Sequence, residues 1–230
     1  MADNYIERRM EDLRSGKLSG AISSINHHSS HRKGYLQIRL PELRVLFIGS
    51  LDSINQAIIK DYRNMGSKVA VITEDRENGE RLAKNNGIRL YPIDLTQIEA
   101  LDKSILNLLK TWYDIDVIIM GDKNKSRAEL IPIIVDRICS NREKYPLPNS
   151  YGGRVIEFFT NPKYKHTLWN SLLKKNFSVV SIIQSEDISY STTTSEDIAR
   201  LCLFISSPAN AFLNGATIEV PCLRSNNMGQ

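Results

Sequence analysis

Short apolar runs alternate along the chain with longer segments in which apolar residues recur every three or four positions. Runs such as VAVI at 69–72 and VIIM at 117–120 are typical of strands that are covered on both faces. The longer segments are typical of amphipathic helices. The pattern predicts strands at 45–49, 68–73, 88–93, 115–120, 154–159, 178–184 and 216–220. It predicts helices at 54–65, 76–86, 97–112, 126–142, 162–175 and 195–206.

This alternation predicts an α/β fold with three layers, in which helices cover both faces of a doubly wound parallel sheet of about seven strands. Thr96 and Ser195 precede acidic residues and are predicted N-caps of their helices. Residues 1–43 form a predicted N-terminal extension, a short amphipathic helix plus a flexible connector. The α/β domain is expected over 44–224, followed by a tail over 225–230.

Composition narrows the class of protein. The chain has 230 residues and a net charge of +4, an excess too small and too scattered to indicate nucleic-acid binding. No apolar run approaches membrane-spanning length and no signal peptide is visible, so we expect a cytoplasmic protein without a membrane partner. His27, His28 and His31 lie in a segment rich in serine and glycine, which we interpret as a solvated loop, and we predict no metal site.

The rest of the chain is organised around VLFIGSLDSIN at 45–55, which reads as a buried strand, a tight turn and a helix start. Such a turn directs backbone N–H groups and a helix N-terminus at a pyrophosphate, and Gly49 permits it. Ser53 and Asn55 stand where the dinucleotide fingerprint has two more glycines, and we expect Asn55 to weaken helix–strand packing or widen the turn. Asp52 brings a negative charge that either repels a pyrophosphate or caps the helix.

Several segments resemble the short-chain dehydrogenases/reductases over about 44–220. They are PIDL at 92–95, IDVII at 115–119, GRVIEFFT at 153–160, SEDIARLCLFISSP at 195–208 and NGATIEV at 214–220. The resemblance implies a Rossmann-like fold, NAD or NADP as cofactor, and hydride transfer between the cofactor and a carbonyl or alcohol substrate.

The cofactor contacts that the resemblance implies follow the first four predicted strands. They are Gly49, Ser50, Ser53 and Ile54 at the phosphate turn, Glu74, Asp75 and Arg76 at the adenosine ribose, Asp94 and Leu95 at the adenine, and Gly121 near the second ribose. An acidic residue after the second strand favours NAD and an arginine favours NADP. Both are present, so the sequence does not choose between them.

The catalytic pattern of that family, Tyr-x-x-x-Lys, is incomplete here. Thr160 stands where the family has its serine, and Tyr164 is the next tyrosine, but Leu168 replaces the lysine. Without a nearby cation a tyrosine keeps its pKa near ~10 and is a poor base at neutral pH. We therefore expect a catalytically impaired or non-enzymatic relative with weak or absent dinucleotide binding. The alternatives are an atypical NAD(P)-dependent oxidoreductase that uses Thr160 and Tyr164, and a non-catalytic structural or ligand-binding subunit.

Members of the resembled family commonly assemble as dimers or tetramers, which leads us to expect a homo-oligomer. The helix predicted at 126–142 carries an apolar stripe that would suit such an interface, formed by Ile131, Ile134, Val135 and Ile138. The other interpretation of the stripe is that it belongs to the core of its own chain.

Overall fold

The computed structural model describes residues 42–121, 129–146, 152–159, 169–185 and 193–221. Within them lies one seven-stranded sheet with the strand order β3-β2-β1-β4-β5-β6-β7, in which all neighbouring strands are parallel. The strands are β1 (Arg44–Ile48), β2 (Lys68–Thr73), β3 (Arg89–Pro92), β4 (Val117–Met120), β5 (Gly153–Phe159), β6 (Phe177–Ser185) and β7 (Thr217–Pro221). The predicted α/β fold with a parallel sheet is confirmed.

Helices follow the strands at nearly the predicted positions. They are α1 (Ser53–Asn64), α2 (Arg76–Asn86), α3 (Ile98–Trp112), α4 (Leu130–Lys144), α5 (Trp169–Lys174) and α6 (Ser195–Ser206), and a 3-10 helix, Pro208–Leu213, that was not predicted comes after α6. The N-terminal parts of two predicted helices, 126–128 and 162–168, lie outside the described residues, as does the short amphipathic helix predicted within the N-terminal extension.

Each face of the sheet has its own apolar core. Helices α1, α2 and α6 cover one face through residues such as Ile58, Leu82 and Ile198. Helices α3, α4 and α5 cover the other. The stripe on α4 belongs to this second core: Ile131, Ile134, Val135 and Ile138 are all buried within the chain. It therefore gives no support to the expected oligomer interface.

Both predicted N-caps are wrong by one residue. Helix α3 starts at Ile98 with Gln97 in the capping position, because Thr96 is held by Asp94, whose Oδ1 accepts hydrogen bonds from the Thr96 N–H and hydroxyl at 2.8 and 2.7 Å. Helix α6 is capped by Thr194, which exchanges hydrogen bonds with Asp197 in a capping box.

Buried ion pairs lock the amino-terminal edge of the sheet. Arg44 binds Asp116 through two guanidinium nitrogens, Nε to Oδ2 at 2.8 Å and Nη2 to Oδ1 at 2.7 Å. Asp114 is fully buried and accepts from Arg142 Nε at 2.8 Å and from Arg44 Nη2 at 3.3 Å. Burial alone would lower the pKa of Arg44, but the hydrogen bond and charge of Asp116 outweigh it and raise that pKa. The four side chains thus tie β1, α4 and the residues just before β4 into one charged network.

None of the helices in the described ranges combines the length and the apolar character that crossing a membrane requires.

Candidate functional site

The carboxyl ends of β1 and β4 flank the point where the strand order reverses. From β1 the chain proceeds outward through β2 to β3, then returns to β4 on the other side of β1. In open parallel sheets, ligands bind in the crevice at this edge. Gly49 directly follows β1 and Gly121 directly follows β4, so two predicted cofactor residues flank the crevice.

The turn after β1 depends on glycine. Gly49 has a φ of 142°, a conformation that L side chains rarely adopt. Its N–H donates to Ile72 O in β2 at 3.1 Å, and the Gly121 N–H donates to Ile48 O in β1 at 2.8 Å. The hydrogen bonding of the sheet therefore extends one residue past the ends of β1 and β4. Ser50 and Ser53 are exposed at the turn, whereas Ile54 is buried against the core.

Asp52 caps α1. Its extended backbone and its position before Ser53 let Oδ1 accept a hydrogen bond from Asn55 N at 2.9 Å. The sequence left open whether Asp52 repels a pyrophosphate or caps the helix, and in the structure it caps α1. As a consequence, a carboxylate from the chain itself already lies at the helix N-terminus, where an anionic ligand would otherwise bind.

Asn55 links the ends of β1 and β4 instead of loosening the turn, which corrects our expectation. The side chain is 2 % exposed, and its Nδ2 donates to Ser50 O at 3.0 Å and to Gly121 O at 2.9 Å. Gly121 leaves room for it, because a Cβ there would come within 2.8 Å of Asn55 Oδ1 and 2.2 Å of the Phe47 ring. In the dinucleotide fingerprint, a glycine at the position of Asn55 lets the helix pack closely on the strands. Here the glycine that makes this room is Gly121, at the end of β4.

The other predicted cofactor residues cluster at the ends of β2 and β3, beside the turn. Glu74 Oε1 accepts from Leu95 N at 3.0 Å, which links the two strand ends. Asp75 caps α2 by accepting from Asn78 N at 3.1 Å. An open pocket lies between these ends, lined by Glu74, Arg76, Pro92, Ile93, Asp94 and Thr96. Leu95 is buried, so its side chain serves the core rather than the pocket.

Thr160 and Tyr164, the candidate catalytic residues, lie outside the described residues, and their roles stay predictions. Just before them lies a polar pair that the sequence pattern did not predict. Glu157 in β5 is 2 % exposed, and its Oε1 accepts from Ser181 Oγ of β6 at 2.8 Å. An acid inside the apolar run VIEFF was the available signal. In the described part of the chain, no three His, Cys, Asp or Glu side chains are grouped as metal ligands.

No protein-family model matches the sequence. The fold resembles that of a putative oxidoreductase from Escherichia coli K-12, with a TM-score of 0.61 and 15 % identity over 77 % of this chain and 95 % of that one. It also resembles the citronellol catabolism dehydrogenase of Pseudomonas aeruginosa PAO1, with a TM-score of 0.60 and 13 % identity over 81 % and 96 %. A third similar structure is the Cj0485 dehydrogenase, with a TM-score of 0.59 and 15 % identity over 78 % and 93 %.

Likenesses at such low identity establish architecture. The chain carries a Rossmann-like α/β domain of the kind found in oxidoreductases and dehydrogenases.

Proposed function

We propose that this protein is a divergent member of the short-chain dehydrogenase/reductase family that binds NAD or NADP weakly or not at all and is impaired in hydride transfer. One observation carries the proposal: the Asp52 carboxylate caps α1 and accepts from Asn55 N, at the position where this fold ordinarily holds a pyrophosphate.

The two halves of the dinucleotide site differ in their fit to the cofactor. The pocket at the ends of β2 and β3 offers acidic residues and Arg76, which suit an adenosine ribose. At the phosphate turn the helix N-terminus is already used by Asp52, which is exposed at the same crevice. Two like unit charges 4 Å apart repel by about 1–4 kcal/mol between bulk water and a protein surface, which is enough to weaken binding about fivefold or more.

The proposed impairment also rests on the catalytic segment. With Leu168 in place of the family's lysine, the sequence lacks the cation that in that family lowers the pKa of the catalytic tyrosine. Losing a general acid/base lowers a rate by about 10²–10⁴. We therefore expect no measurable turnover of ordinary carbonyl substrates.

The test is a calorimetric titration of the wild type and of Asp52→Asn with NADH and NADPH, at low and at high salt. Asparagine is as good an N-cap as aspartate, so the substitution removes the charge and keeps the helix. We expect weak binding by the wild type, tighter binding by Asp52→Asn, and a difference that shrinks at high salt because the repulsion is screened.

Glu99→Gln is the matched control, because Glu99 is likewise an exposed acid at the start of a helix, α3, and does not line the pocket at the ends of β2 and β3. It should bind like the wild type. Tight cofactor binding that Asp52→Asn leaves unchanged would overturn the proposal. So would oxidation of NAD(P)H in a broad reductase screen that disappears in Tyr164→Phe, because this would indicate the active alternative.

We propose further that the protein is a cytoplasmic homo-oligomer. Since the α4 stripe is internal, the oligomeric part of this proposal rests on the family resemblance alone. Light scattering at high micromolar concentration is the measurement, and a monomer would refute the assembly.

A further inference from the structure

A second cavity lies at the opposite, amino-terminal edge of the sheet, far from the turn after β1. It has a volume of about 280 Å³ and is lined where β4, β5 and β6 begin. Its apolar wall includes Leu43, Val117, Leu173 and Phe177, and its polar side includes Arg154 and Ser178. Such a mixture of apolar walls and a few polar groups is typical of small-molecule sites.

The register explains how polar groups come to lie there. One row of paired residues crosses β2, β1, β4, β5 and β6, and the side chains of such a row share one face of the sheet. In that order, the row consists of Val69, Val45, Val117, Arg154 and Ser178. The first three residues are buried and apolar, as a core row should be. At β5 and β6 the row becomes cationic and then hydroxylic, at the same place where the cavity opens.

Arg154 is partly buried and makes a single hydrogen bond within the described chain, from Nη1 to Asn210 O at 3.1 Å. No carboxylate of the described residues pairs with it. Burial lowers the pKa of Arg154, and only the nearby Tyr62 opposes this effect. Arg44 and Arg142, at the same edge, each bind a carboxylate. Arg154 is therefore a partly desolvated cation, and within the described residues only one of its N–H groups has a partner.

The other polar groups of the cavity do not supply the missing negative charge. Asp116 lines the cavity, but both of its oxygens accept from Arg44. Ser178 Oγ is next to Arg154 across the strand pair and makes no hydrogen bond to a described residue. The Phe177 ring belongs to the core on the other face of the sheet, where it occupies the space in which a Cβ on Gly153 would lie, at 1.8 Å.

We propose that this cavity binds a small organic monocarboxylate, whose carboxylate pairs with Arg154 and Ser178 and whose apolar part lies against Leu43 and Val117, which belong to the core on the same face of the sheet. One uncompensated positive charge calls for one negative charge, and the planar guanidinium matches a carboxylate through paired hydrogen bonds. The volume and the apolar wall suit a ligand of about the size of an aromatic acid. The site is independent of the proposed dinucleotide site.

The test is a calorimetric titration of the full chain at low salt with benzoate, with its neutral isostere benzamide and with inorganic phosphate. We expect saturable binding of benzoate only. Arg154→Gln should lower the affinity about tenfold or more, which is the usual effect of losing a charged hydrogen-bond partner. Ser178→Ala should lower it less. The control is Arg200→Gln, since Arg200 is an exposed arginine on α6 that pairs with Asp197, and it should bind benzoate like the wild type.

Amide spectra provide a readout that does not depend on the variants. Benzoate should shift the Gly152 and Gly153 signals at this edge and leave those of Gly49 and Gly121 unchanged. If Arg154→Gln does not fold by circular dichroism, Arg154→Lys keeps the charge without the planar fork and should bind more weakly than the wild type. The proposal is overturned by absent benzoate binding, by equal affinity in the Arg154 variant, by equal binding of benzamide, or by a preference for phosphate.

Discussion

Replacing Asn55 by alanine tests the most specific feature of the crevice. The substitution removes the Nδ2 donor that binds Ser50 O and Gly121 O. Ser50 is exposed, so water can satisfy its carbonyl group, whereas Gly121 is buried and its carbonyl loses this partner without replacement. An unsatisfied buried group costs about 1–3 kcal/mol, and the lost hydrogen bond to Ser50 adds about 1 kcal/mol.

Alanine returns part of this loss, because it favours a helix over asparagine by about 0.6 kcal/mol. The net expectation is that Asn55→Ala lowers the free energy of unfolding by about 2–3 kcal/mol. Urea unfolding followed by circular dichroism measures it. Lys60→Ala, an exposed substitution in the same helix, should change stability by about 0.5 kcal/mol or less. If Asn55→Ala is no less stable than Lys60→Ala, then the amide bridge does not hold the turn to β4.

Three further substitutions probe the rest of the fold. Asp114→Ala should lower the free energy of unfolding by about 3–5 kcal/mol, because it deprives Arg142 of its buried carboxylate; a urea midpoint close to the wild-type value would contradict this. Burial raises the pKa of Tyr62 well above its usual value, so the folded state keeps a proton that the unfolded state releases above pH ~10, and stability should fall there. Tyr62→Phe should show a shallower alkaline decline in denaturant titrations, and parallel declines would refute the assignment. Arg154→Met should raise the thermal midpoint in a buffer without carboxylates, because it removes a partly buried charge that no described carboxylate compensates, and a lowered midpoint would argue for a structural role.

Periodicity was sufficient to predict the layers of this fold, because runs such as VIIM at 117–120 are buried on both faces. The ends of the helices and strands were harder to predict from the sequence. Ile115 and Asp116 read as part of a strand, yet β4 begins at Val117, and the Asp116 carboxylate binds Arg44, which lies 72 residues earlier in the chain. Local sequence does not contain that partner.

The same limit applied at the candidate site. The sequence left open whether Asp52 repels a ligand or caps the helix, and the choice depends on a backbone conformation that composition does not encode. Asn55 was expected to disturb the packing because its partner, Gly121, lies 66 residues away. Arg154 looked like an ordinary strand residue, and only the assembled edge reveals that the described residues offer it no acidic partner.

The packing of α1 against α6 has a consequence for how the chain is made. The Tyr62 hydroxyl donates to Cys202 O at 3.0 Å and also bonds Ser206 Oγ, so a helix near the start of the domain is completed by one 140 residues later. At a translation rate of about 5–20 residues per second, α1 leaves the ribosome about 7–28 s before α6 is available to cover it. During that interval the apolar face of α1 has no native partner in α6. The core that α1, α2 and α6 form on one face of the sheet therefore cannot close until α6, one of the last elements of the domain, has been synthesised. Truncation before residue 195 should accordingly yield a chaperone substrate rather than a folded domain.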